Sequence, residues 1–75
     1  MKRRSRTDIV ADILRVAING ARISRIVSEA NTNYNIAHEY LEMLECRELI
    51  RNENGLFVTT DKGKFFLERA KELKL

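Results

Sequence analysis

The stretch Leu49-Ile50-Arg51-Asn52-Glu53-Asn54-Gly55-Leu56-Phe57-Val58-Thr59 decides the fold. Two short runs carrying Leu, Ile, Phe and Val flank Asn54-Gly55, the dipeptide that best satisfies the two positive φ angles of a type I′ turn. The reading is a two-stranded hairpin. An isolated hairpin is marginal in water, so this ribbon must lie against other elements. Read outward from it, the rest of the chain supplies helices.

Immediately upstream, Ala37, Tyr40, Leu41 and Leu44 recur at i, i+3, i+4 and i+7. They form one apolar stripe on a helix from Tyr34 to Arg47, with Glu39, Glu42 and Glu45 between them. Asn31-Thr32-Asn33 is rich in residues that turn the chain, and Asn33 is a good N-cap. Before it, Ser24 is placed to cap a brief helix over 24–30 whose inner face is Ile26, Val27 and Ala30, with Ile23 in a short extended link. Thr7 and Asp8 offer an N-cap and a first-turn anion for a helix of about 7–18. There Ile9, Val10, Ile13, Leu14 and Ala17 repeat at helical spacing until Asn19-Gly20. Downstream of the hairpin, Thr60 or Asp61 caps a last helix, about 60–74, bearing Phe65, Phe66, Leu67, Ala70 and Leu73. Lys71 and Lys74 lie near its C-terminal end, where the helix dipole favours cations.

The predicted fold is therefore mainly α with a small β-hairpin, in the order helix, helix, helix, two-stranded ribbon, helix. That is the order in which a helix-turn-helix acquires a wing. Seventy-five residues make one domain with an economical core. A basic N-terminal arm over 1–6 precedes the domain proper, 7–75. The formal net charge is +3, yet Lys2, Arg3, Arg4 and Arg6 alone supply four positives. Ten basic residues then face eleven acidic ones over 7–75, so the basic character belongs to the arm. Phosphate binding depends on where cations sit, which makes that arm the first candidate for a DNA backbone.

Composition also excludes several classes. One Cys, Cys46, allows neither an internal disulfide nor a multi-cysteine zinc site, and His38 alone cannot complete a metal cage. No apolar run approaches the roughly 18 residues of a membrane span. There is no Gly-rich phosphate loop and no convergent acid–base pair, so the chain is not read as an enzyme and no cofactor is expected. Cys46, next to Arg47, reads as a small buried apolar residue rather than a redox sensor. The expected setting is a reducing cytoplasm, on the nucleoid.

Several stretches together resemble a known family: Lys2-Arg3-Arg4-Ser5-Arg6, Ile9-Val10-Ala11-Asp12-Ile13-Leu14, Ala30-Asn31, Tyr40-Leu41, Leu49-Ile50, and Thr59-Thr60-Asp61-Lys62-Gly63 leading into Phe66-Leu67. Over residues 2–73 the sequence is similar to small archaeal winged helix-turn-helix regulators. These are related to the archaeal ten-kilodalton DNA-binding proteins that dimerise through a C-terminal helix. It departs from them in three places. Glu48 stands where such proteins turn with Gly, Thr32 replaces an apolar turn residue, and the third helix is unusually acidic.

The resemblance implies duplex DNA as partner and a third helix entering the major groove N-terminus first. The surface so presented is Asn33, Tyr34, Asn35 and His38, residues able to bond adenine, guanine or phosphate. Glu39, Glu42 and Glu45 would be repelled by phosphate, so only the first half of that helix can dock deeply. Phosphate contacts are expected from Lys2, Arg3, Arg4, Arg6, Arg22, Arg25 and Arg51, with Arg25 the sharpest candidate. Phe65 and Phe66 point about 100° apart on one helix, more than a small core can cover. With Leu67, Ala70 and Leu73 they form the expected homodimer surface, two copies of the last helix pairing antiparallel. Two other readings use the same residues: a protein-interaction domain docking a basic partner on the acidic third helix, and a chromatin protein coating DNA without sequence preference.

Overall fold

The computed structural model describes residues 5–73, with side chains to residue 69. Its elements are α1 (Arg6–Val16), α2 (Ile23–Glu29), α3 (Tyr34–Cys46), β1 (Ile50–Glu53), β2 (Leu56–Thr59) and α4 (Asp61–Leu73). Lys2, Arg3 and Arg4 of the arm lie outside the described residues. Arg6, assigned to the arm from sequence, is instead the first residue of α1. The cause is a capping box at Ser5 and Asp8, two residues ahead of the N-cap expected at Thr7. The Ser5 hydroxyl accepts from the Asp8 N–H and the Asp8 carboxylate accepts from the Ser5 N–H, both at 3.1 Å. Two orphan donors of the first turn are thereby satisfied, and Thr7 is left exposed.

α2 also starts earlier than expected. Its N-cap is Arg22, which gives no side-chain cap, and Ile23 is its first residue rather than part of the link. Ser24 is exposed. Ile26 and Ala30 are buried, with Val27 half-buried beside them. The turn into α3 is built as a Schellman motif: Asn31 has φ 56°, and the Thr32 N–H donates to the Val27 carbonyl at 3.0 Å. An Asn tolerates this left-handed backbone better than most residues. α3 ends the same way, with Glu48 at φ 61° and the Leu49 N–H donating to the Leu44 carbonyl at 2.9 Å. That is the position where the family resemblance expects Gly.

β1 and β2 pair antiparallel with Glu53 opposite Leu56, so the connection is the two-residue Asn54-Gly55 turn, at φ 53° and 89°. The Asn52 side-chain oxygen accepts from the Gly55 N–H at 2.8 Å and tightens it. A third segment joins the ribbon. Ala21 exchanges backbone hydrogen bonds with Phe57, at 2.9 and 2.8 Å, on the edge of β2 away from β1. A single residue gives no periodicity, so the sequence showed only a link there.

The core runs through Ile13, Leu14, Ile26, Leu41 and Leu44, all fully buried, and is closed by Leu49, Ile50 and Phe57 from the ribbon. The root of the wing is fastened to α1 by one residue. Thr59 is buried, its N–H donates to the Ala17 carbonyl at 2.9 Å, and its hydroxyl donates to the Leu14 carbonyl at 2.6 Å. Two carbonyls at the C-terminal end of α1, which have no partner inside the helix, are thus satisfied by the strand. Thr60 follows as the junction to α4. Its hydroxyl donates to the Glu48 carbonyl at 2.6 Å and accepts from the Gly63 N–H at 3.1 Å, an N-cap for α4. α4 then packs back on α1.

Candidate nucleic-acid interface

The buried stripe of α3 is Ala37, Leu41 and Leu44. Helical geometry therefore turns Asn35, Glu39, Glu42 and Cys46 away from the core, and all four are exposed. Cys46 is thus not the buried apolar residue expected from sequence. The last turn of α3 lies at the rim, where a thiol meets solvent.

The first turn of α3 is uncharged. Asn33 caps it, its side-chain oxygen accepting from the Ile36 N–H at 2.9 Å. That commits the acceptor atom of Asn33 to the helix, and leaves Asn35 as the exposed asparagine of this turn with no such bond among the described residues. Tyr34 is 51% exposed and His38 is exposed beside it. Ile36, 38% exposed, stands in the same turn and was not singled out from sequence. The signal was available, since Ile36 falls about 100° from Ala37 and off the buried stripe. Glu39, Glu42 and Glu45, all exposed, occupy the rest of the helix.

The expected phosphate ligands divide into two groups. Arg25 is held by Glu29, Nε to Oε2 at 2.7 Å, and Arg51 by Glu53 at 2.8 Å. Both pairs are exposed, and such pairs contribute about 0–1 kcal/mol, so either guanidinium can exchange its carboxylate for another anion. Arg22 has no ion pair among the described residues. Its Nη1 lies 3.2 Å from where a Cβ on Gly55 would stand, which puts the guanidinium against the tip of the wing. The N-cap of α2 and the wing therefore share one cation, an association across the fold that sequence spacing could not reveal. Arg6 lies elsewhere, in a groove with Glu39, Tyr40 and Arg47.

On α4, Phe66 and Leu67 pack against the core while Phe65 is 59% exposed, with the Arg69 guanidinium 6.0 Å from its ring centroid. The expected divergence of the two phenylalanines is present. Ala70 and Leu73 belong to the helix, but their side chains lie outside the described residues. Among the described residues no cluster of three His, Cys, Asp or Glu side chains could hold a metal ion. No helix among them is long and apolar enough to cross a membrane.

Known proteins provide two likenesses. The crystal structure of Sso10a-2, described as a DNA-binding protein from Sulfolobus solfataricus, superposes with a TM-score of 0.84 at 31% identity, over 93% of this chain and 78% of that one. No curated protein sequence matches the chain. The family model of the winged helix-turn-helix matches residues 3–75. With that match over nearly the whole length, and with α2, the Asn31 turn, α3 and the β1–β2 ribbon in place, the chain belongs to the winged helix-turn-helix family.

Proposed function

We propose that the protein binds duplex DNA as a homodimer and regulates transcription, acting on the nucleoid in the cytoplasm. The first turn of α3 enters the major groove, and Arg22, Arg25, Arg51 and the basic residues Lys2, Arg3, Arg4 and Arg6 contact phosphates. One observation carries the reading: the exposed side of α3 passes from an uncharged first turn to later turns that carry carboxylates. Its first five residues expose Tyr34, Asn35 and His38, side chains able to hydrogen-bond a base or a phosphate, whereas its later turns expose Glu39, Glu42 and Glu45. Such a helix docks N-terminus first and stops early. That Sso10a-2 is described as a DNA-binding protein supports the same partner.

Pairing of two α4 helices through Phe65, with Phe66, Leu67, Ala70 and Leu73, sets two such helices on one duplex and doubles the phosphate contacts. Fluorescence anisotropy of two unrelated duplexes at several salt concentrations tests the proposal. Saturable binding should weaken with salt by about 0.9 in log–log slope for every phosphate neutralised. A difference between the two sequences marks a regulator, and equal affinity marks a coat on chromatin. No duplex binding at low salt overturns the proposal. A second reading draws on the exposed Glu39, Glu42 and Glu45: a basic protein partner on the outer face of α3. Reversing those three charges should abolish capture of such a partner, yet leave duplex binding equal or tighter if DNA is the ligand.

A further inference from the structure

The described arginines are not equivalent. Arg15, Arg25 and Arg51 each hold a carboxylate, Asp12, Glu29 and Glu53 respectively. Arg6, Arg22, Arg47 and Arg69 hold none among the described residues. Arg22 stands at the wing tip and Arg69 near the Phe65 ring. The other two come from opposite parts of the chain, the first residue of α1 and the C-cap of α3, and line one open groove of about 450 Å³. Its wall is otherwise largely apolar, with Val10, Tyr40, Met43, Leu44 and Phe66, and among the described residues its one carboxylate is Glu39.

We infer that this groove is a binding site for a small organic monocarboxylate with a flat aromatic body of one or two rings. The volume falls within the range of about 300–1,000 Å³ in which small-molecule sites lie. Tyr40, Phe66 and the Met43 thioether present the surfaces that aromatic rings pack against favourably. A guanidinium offers paired N–H donors that match the two oxygens of a carboxylate. Arg47 also sits where the dipole of α3 favours a cation, but that interaction uses its charge and leaves its donors open. Two guanidiniums against one carboxylate give the wall a surplus of one positive charge, which suits a monoanion. Inorganic phosphate or a nucleic-acid backbone would leave the apolar wall unused. The site is separate from the first turn of α3, shares Arg6 with the proposed phosphate contacts and Phe66 with the proposed dimer surface, and binding there does not rest on the DNA-binding reading. Its walls come from α1, α3 and α4, so an occupant would tie the proposed recognition helix to the proposed dimerisation helix.

The full chain labelled with ε-¹³C-methyl methionine tests this, because Met43 lies on the groove wall and reports occupancy by its methyl resonance. Titration with 2-naphthoate should shift that resonance saturably, and 2-naphthylmethanol, the same body without the charge, should bind at least tenfold more weakly. Arg6→Gln combined with Arg47→Gln should weaken the naphthoate at least tenfold, while Arg15→Gln, whose guanidinium is engaged by Asp12, should change it less than twofold. Circular dichroism checks each fold, and Arg47→Gln alone serves the same comparison if the double variant does not fold. The inference fails if Met43 shows no saturable shift, if the alcohol binds as tightly as the acid, or if the arginine variants bind as well as the parent.

Discussion

The root of the wing and the outer face of α3 are built on opposite principles. At the root the two threonines have fixed partners: Thr59 bonds Leu14 and Ala17, Thr60 bonds Glu48 and Gly63, and Ile50 lies buried opposite Thr59. On the outer face of α3, Asn35, Glu39, Glu42 and Cys46 touch solvent. The first region converts sequence into shape, and tolerates little. The second is held in place by the first and is free to carry recognition. Substitutions should therefore separate cleanly, with stability changing at the root and binding changing on the face.

The largest effect is expected at Gly63. A Cβ there would overlap the Leu49 carbonyl oxygen and stand 2.6 Å from Cγ2 of Thr59, contacts that only a shift of α4 or of the ribbon could relieve. Backbone cannot give as a side-chain tip can. Gly63→Ala, although helix propensity favours Ala, should destabilise by about 2–3 kcal/mol and lower the melting temperature by roughly 10–20 °C. A thermal melt by circular dichroism reads it, and an unchanged midpoint would break the contrast at its strongest point. Next comes Thr59→Val, which keeps the shape and removes the hydroxyl bonded to Leu14. The stranded buried carbonyl should cost about 1–2 kcal/mol in a denaturant titration.

The same division decides what was legible in the sequence. All four helices, the ribbon, its turn and the Asn33 cap follow from local rules, because periodicity and turn chemistry act over a few residues. The missed features are of two kinds. Small displacements arose at two helix starts: the Ser5–Asp8 capping box begins α1 ahead of Thr7, and α2 begins at Ile23, ahead of Ser24, with no side-chain cap. Long-range ties were invisible: the Ala21–Phe57 bridge, the Thr59 hydroxyl reaching Leu14, and Arg22 at the wing tip join residues separated by more than thirty positions. Of the expected interface, Tyr34, Asn35 and His38 are exposed, Asn33 is engaged as a cap, and Ile36, an exposed apolar residue off the buried stripe, was not among the residues expected there.

On the face of α3, Glu39→Gln with Glu42→Gln should leave stability within about 0.5 kcal/mol, since both side chains are exposed and make no ion pair among the described residues. Duplex binding should tighten roughly fivefold at low salt, as two like charges near phosphates each oppose docking by about 0.5 kcal/mol across water. The gain should shrink as salt rises, because the interaction is screened. A large loss of stability would mean that the face and the root are coupled; weaker duplex binding would support the protein-partner reading.

Glu48 stands between the two regions and gives the smallest effect. It closes α3 in the left-handed conformation, φ 61°, while its carbonyl receives the Thr60 hydroxyl at the root. A side chain there raises the energy by about 1–2 kcal/mol relative to Gly, through the approach of Cβ to the backbone. Glycine removes that strain but gives the unfolded chain about 0.4–1 kcal/mol more conformational freedom, so the two effects largely offset. Glu48→Gly should accordingly stabilise the fold by about 0.5 kcal/mol, seen as a rise of a few degrees in the melting temperature. Both hydrogen bonds at this junction, Leu49 N–H to Leu44 and Thr60 hydroxyl to Glu48, use backbone carbonyls and survive the change. The exposed Glu48 carboxylate makes no ion pair among the described residues, so little else is lost with it. Destabilisation would show that the carboxylate does more than its contacts reveal; stabilisation would place the strain in the turn that joins the recognition helix to the wing.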